Sequence, residues 1–209
     1  MDRLSPRALR ERYRNQVEWF RTERTRLLRK ADILSRGQVL DLGTGTGEML
    51  AELRRRTRGE VVGFDLDTGA LGLAEKPVIR GDAAVLPFGD GAFDLIFTQM
   101  FFLWICDPED VIAEIHRALR PGCYLVVAAE PDYDGLVTFP NTSEELASFI
   151  AGIEEEGADM RIGRKLGGLL TAAGFTAEAG THPCNPLTDD GSGFAYIPYF
   201  WFLAKREGP

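Results

Sequence analysis

From Leu9 to Ala31, apolar residues recur at three- and four-residue steps (Leu9, Tyr13, Val17, Phe20, Leu27, Ala31), a stripe that predicts one long amphipathic helix packed on another element. Arg24 interrupts that stripe. Beyond Arg36 the pattern changes to short apolar or β-branched runs punctuated by Gly and Asp. These predict strands at 38–42, 60–65, 78–80, 93–98, 123–130, 175–180 and 196–205. Helical stretches fall between most of them, at 48–56, 68–75, 108–119, 144–156 and 163–173. Strand alternating with helix implies a parallel sheet with right-handed crossovers. The last two runs lack a helix between them, so an antiparallel pair at one edge, joined by a loop at 182–194, is expected.

A length of 209 residues suits one domain, read as a helical arm (1–36) on an α/β core (37–209). The longest apolar runs, 100–106 and 123–129, fall far short of the roughly 20 residues of a bilayer span. The Arg-rich start does not read as a secretory signal. Cys106, Cys123 and Cys184 are odd in number with no CxxC pair, so neither zinc nor any other metal is expected, and a reducing cytoplasm is the simplest location. Charge is uneven: the arm carries eleven basic against five acidic residues, while the rest of the chain is net -14. An acidic body repels a phosphate backbone, which makes nucleic acid an unlikely partner.

The most informative stretch is Val39-Leu40-Asp41-Leu42-Gly43-Thr44-Gly45-Thr46-Gly47-Glu48, a buried-type strand entering three alternating glycines and then a helix. Glycine removes a Cβ where a ligand or backbone must come close. In open α/β sheets ligands bind beyond the carboxyl ends of the strands. A nicotinamide fingerprint needs G-x-G-x-x-G, but the sixth position here is Glu48, a carboxylate where a pyrophosphate would sit, so an NAD-dependent oxidoreductase is the lesser alternative. No Gly-Lys-Ser or Gly-Lys-Thr closes the loop as a Walker sequence would.

Three further segments follow in order. Val61-Val62-Gly63-Phe64-Asp65 ends the second strand in an acid. Gly81-Asp82-Ala83-Ala84-Val85-Leu86-Pro87-Phe88-Gly89-Asp90-Gly91-Ala92-Phe93-Asp94 comes next, then Arg117-Ala118-Leu119-Arg120-Pro121-Gly122-Cys123-Tyr124-Leu125, where Cys123 replaces a second glycine. With the glycine loop, residues 38–130 resemble class I S-adenosylmethionine-dependent methyltransferases, in particular the small-molecule type 11 (UbiE-like) group.

The resemblance implies a three-layer, Rossmann-like α/β fold with a seven-stranded, mostly parallel sheet, an antiparallel last strand and an N-terminal capping helix. It implies S-adenosylmethionine as cofactor and S-adenosylhomocysteine as product. Asp41, Gly43, Thr44, Gly45 and Gly47 would form the loop, Asp65 and Leu66 would meet the ribose, and Asp82 and Ala83 the adenine. Thr98 would end the fourth strand at the cofactor, and Tyr13 would reach its methionine end from the arm. A carboxylate suits a diol because it accepts both hydroxyl protons.

A sulfonium is already an activated methyl donor, so in-line placement of a small-molecule acceptor is the main task, and proximity can supply about 7–11 kcal/mol of the barrier. A base is needed only if the acceptor arrives protonated. His182, on the loop after the sixth strand, is the catalytic candidate, although a proline-bounded turn explains it as well. His116 reads as a histidine favoured at a helix C-terminus. Substrate-side candidates are Gln99, Phe102, Trp104, Glu130, Tyr133 and Arg161, each with a plainer reading as core, turn or solvated surface. The N-P-P-Y type segment of amino-group nucleic-acid methyltransferases is absent, since Thr98-Gln99-Met100-Phe101 stands in its place. A non-catalytic S-adenosylmethionine-binding module is the other alternative. The crossover at 67–77 contains Gly69 and Gly72, each costing about 1 kcal/mol against alanine in a helix, and is too short for a long one.

Overall fold

The computed structural model describes residues 5–140, 142–183 and 194–208. Cys184 and most of the loop expected at 182–194 lie outside them. The strands are β1 (Gln38–Leu42), β2 (Glu60–Asp65), β3 (Val78–Arg80), β4 (Phe93–Thr98), β5 (Leu119–Pro131), β6 (Val137–Phe139), β7 (Phe175–Thr181), β8 (Phe194–Tyr196) and β9 (Tyr199–Arg206). The helices are α1 (Pro6–Trp19), α2 (Arg21–Lys30), α3 (Glu48–Arg56), α4 (Thr68–Leu71), α5 (Pro108–Ala118), α6 (Glu144–Glu155) and α7 (Ile162–Ala172).

Seven strands form one sheet in the order β3-β2-β1-β4-β5-β9-β7, and β6 pairs with β8 in a separate ribbon. β9 runs antiparallel to both β5 and β7, while the other adjacent pairs are parallel. The central strands read as continuous apolar runs because both faces are covered. Val39, Leu95, Phe97 and Val126 meet Leu27 and Leu28 of α2 and Leu50 and Leu53 of α3. The alternate residues, Leu40, Ile96, Leu125 and Val127, join a second core layer with α5 and α7. No helix among the described residues is long and apolar enough to cross a membrane.

Three expectations need correction. The arm is two helices, broken at Phe20 (φ -107°, ψ 13°), whose buried ring packs 4.6 Å from His182 and 4.9 Å from Tyr199 between ring centroids. The break lets α2 bury Leu27 and Leu28 on the sheet, whereas α1 buries none of its residues and lies against α3. The run at 196–205 is split at Pro198, which has no N–H for a ladder, so β8 leaves to pair with β6. The helix expected at 68–75 is only the four-residue α4, which the Asp67 side chain caps at the Gly69 and Ala70 N–H groups.

Arg24, the gap in the apolar stripe, is fully buried. Its Nη2 donates to Glu52 Oε2 of α3 at 2.7 Å, and its Nη1 to the Val17 carbonyl and to Gln99 Oε1. Glu52 also accepts from Arg56 Nε at 2.9 Å. Burial pushes the Glu52 carboxyl up, yet Arg24 and Arg56 together hold it below its ordinary value.

Candidate functional site

Strands β1, β2 and β3 are parallel, so their carboxyl ends open on the same side, and Asp41, Asp65 and Asp82 arrive together there. Between β1 and α3 the chain passes through Gly43 (φ 77°) and Gly45 (φ 52°), both left-handed. A Cβ on Gly43 would stand 2.5 Å from Phe101 Cδ2, and one on Gly45 would stand 3.0 Å from Tyr13 Cε1. The loop is therefore bare because rings close on it from two sides.

Asp65 is aimed by the backbone: Oδ2 accepts from Gly45 N at 2.8 Å and Oδ1 from Asp67 N at 2.9 Å. A carboxylate has about four lone-pair sites, so two remain for a ligand. Asp82 Oδ1 accepts from Ala84 N at 2.9 Å. Asp41 is 2% exposed, and its Oδ2 accepts from Thr44 Oγ1 at 2.6 Å. Burial, with Asp65 adding to it, pushes the Asp41 carboxyl up to about 7. No described cation forms an ion pair with it.

These groups line one end of a cavity of about 350 Å³ that runs under α1. Of the residues singled out from sequence, Tyr13, Asp41, Gly43, Thr44, Asp65, Leu66, Asp82 and Ala83 line the first end, and Gln99, Trp104 and Tyr133 the other. Gly45 and Gly47 are not part of the wall: Gly45 lies under Tyr13, and Gly47 is the N-cap of α3.

Five candidates are placed elsewhere. Thr98 is fully buried at the end of β4, its Oγ1 without a partner. Phe102 is turned into the core. Glu130 is fully buried, and it accepts from the N–H groups of Phe101 (2.8 Å), Phe102 (3.0 Å) and Leu103 (3.3 Å). Burial pushes its carboxyl up to about 7 in spite of those bonds. Arg161 pairs with Asp134 on the surface. His182 is 3% exposed and its Nε2 donates to the Ala128 carbonyl at 2.8 Å; burial lowers its pKa, and it is a neutral core histidine away from the cavity. His116 stacks edge-on against Phe175.

Sequence reasoning missed Arg12, Met100, Phe149 and Ile153, which also line the second end. Phe149 and Ile153 stand four apart on α6, a spacing readable as a helix face but not as a cavity wall. Met100 has φ 54°, a conformation uncommon outside glycine, and it follows β4 directly.

A family model described as a methyltransferase domain matches residues 40–127. An uncharacterized methyltransferase of Synechocystis is 34% identical over 151 residues, covering 68% of this chain and 69% of that protein. A malonyl-[acyl-carrier protein] O-methyltransferase of Coxiella burnetii is 31% identical over 154 residues, covering 72% of this chain but 52% of the relative, so the match spans about half of that protein's length. An S-adenosylmethionine-dependent methyltransferase from Aquifex aeolicus, 17% identical, shares the fold with a TM-score of 0.67 over 98% of this chain and 100% of that one.

Proposed function

The chain belongs to the class I S-adenosylmethionine-dependent methyltransferase family, and from that premise we propose that it transfers the methyl group of S-adenosylmethionine to a small-molecule acceptor by in-line displacement. The observation that carries this reading is the convergence of Asp41, Asp65 and Asp82 on one cavity beside a bare glycine loop. The donor set fits the cofactor. Asp41, a buried acid with no paired cation, suits the ammonium of the methionine moiety; Asp65 suits the ribose diol; Asp82 and the Ala83 N–H suit the adenine edge. When bound, the cofactor supplies an electrophilic methyl on sulfur. The protein's own work is to orient the ligands and exclude water, with Tyr13 and Val17 of α1 roofing the cavity. The arm and the α/β core are read as one domain, and the free thiols of Cys106 and Cys123 favour a reducing, cytoplasmic setting.

Calorimetric titration with S-adenosylhomocysteine tests the reading. Asp65→Ala should weaken binding by about 1.5–3 kcal/mol, the scale of hydrogen bonds to a charged group. Unchanged affinity removes Asp65 from the ribose. The same titration carries a pH signature. Because the Asp41 carboxyl titrates at about 7, it must release a proton below that pH before it can meet an ammonium. Affinity should therefore fall about tenfold per pH unit as pH drops below 7, and Asp41→Asn should flatten that slope. A slope that survives in Asp41→Asn assigns the effect to another group.

A further inference from the structure

The acceptor end of the cavity is poorly made for removing a proton and well made for holding an anion. Among the described residues its lining contains no His, Lys or Cys, and its one acid, Glu156, is exposed. The carboxylates nearby are engaged elsewhere: Glu130 accepts three backbone N–H groups, Asp132 pairs with Arg164, and Asp134 pairs with Arg161. Tyr133 is no base either, since burial pushes its hydroxyl up to about 12. Instead it is a neutral phenol. Its hydroxyl is hydrogen-bonded to that of Tyr199, which does not line the cavity, and a phenol oxygen retains capacity for a further hydrogen bond to a ligand.

Arg12 is the second group. It lines the cavity while remaining exposed, as Glu156 does, makes no ion pair with any described residue, and lies near enough to Tyr13 and Tyr133 to favour the ionised form of both. Around these two groups the wall is mainly apolar, with Met100, Trp104, Phe149 and Ile153, beside the Gln99 amide, which is engaged by Arg24 and by the Gln16 carbonyl. An arginine and a phenol lining one largely apolar wall match an oxyanion on an apolar body.

Resting on the methyltransferase reading of this site, we propose that the acceptor is a carboxylate on an apolar body, held by Arg12 and the Tyr133 hydroxyl, and that the product is its methyl ester. The chemistry balances without a base. A lone pair of the carboxylate oxygen forms the O–C bond as the S–C bond breaks, the S–C electron pair stays on sulfur to give the neutral thioether, and no proton leaves the acceptor.

The test is calorimetry on the protein saturated with S-adenosylhomocysteine, titrated with cinnamate and dodecanoate, each against its primary amide and the matching primary amine. At least one acid should bind ten times more tightly than its amide and amine. Arg12→Ala should remove that preference, Arg12→Lys should keep part of it, and Tyr133→Phe should reduce it severalfold. Binding of S-adenosylhomocysteine without a preference for either acid, or with tighter binding of an amine, overturns the carboxylate assignment and leaves the methyltransferase reading standing. Failure of S-adenosylhomocysteine to bind overturns both.

Discussion

Replacing Arg24 by alanine should destabilise the protein by about 3–5 kcal/mol, the scale of breaking a buried ion pair from one side. The guanidinium is fully buried and joins three elements: Glu52 on α3, the Val17 carbonyl at the end of α1, and Gln99 after β4. Glu52 retains Arg56, itself held by Thr25 Oγ1 at 2.9 Å, which places the loss toward the lower end of that range. Urea unfolding should show a lower midpoint with little change in slope. Because Val17 and Gln99 both line the cavity, affinity for S-adenosylhomocysteine should fall as well. Normal stability in Arg24→Ala would mean that water or Arg56 takes over the pairing of Glu52.

Glu130→Ala should cost about 3–5 kcal/mol, since three backbone donors, those of Phe101, Phe102 and Leu103, lose their acceptor and each unmet buried donor costs about 1–3 kcal/mol. Glu130→Gln is the informative partner. Its carbonyl can replace Oε1 for two of the donors, but its amide presents hydrogens to the third. The pH dependence has a definite sign. The folded carboxyl titrates at about 7, above the ordinary 4.5, so the folded state holds the proton more firmly and this carboxyl's stabilising contribution declines as pH rises between those values. The stability gap between wild type and Glu130→Gln should therefore narrow from pH 5 to pH 8. A constant gap would show that Glu130 is ionised throughout.

The parts of the molecule governed by period and punctuation were legible. The first four strands and α3 have the expected bounds; β1, β2 and β3 end at or just before Gly or Asp, a local signal that needs no tertiary information. Asp41, Asp65 and Asp82 could be grouped from sequence because parallel strands all end on one side. The acceptor end resisted for a specific reason. The residue types of the run after Thr98 do not announce the left-handed backbone at Met100, beyond which Phe102 turns into the core and Phe101 packs onto Gly43. Glu130 looked like a rim acid because nothing in its neighbourhood names the three N–H groups of a segment about 28 residues away. Phe20 sat on the apolar stripe ahead of its interruption at Arg24, and nothing local announces its docking against His182 and Tyr199 where the arm breaks. Pro198, by contrast, was a visible signal that its flanking strand residues overrode.

Helix α1 buries none of its own residues, yet one turn of it places Tyr13 over Gly45 and Arg12 toward Tyr133. A movement of this turn that uncovers the glycine loop would therefore withdraw Arg12 in the same stroke, and with it the anchor proposed for the acceptor. If α1 moves to admit ligands, departure of a methylated product and exchange of the nucleoside would be coupled, and grafting a different α1 would retune both at once.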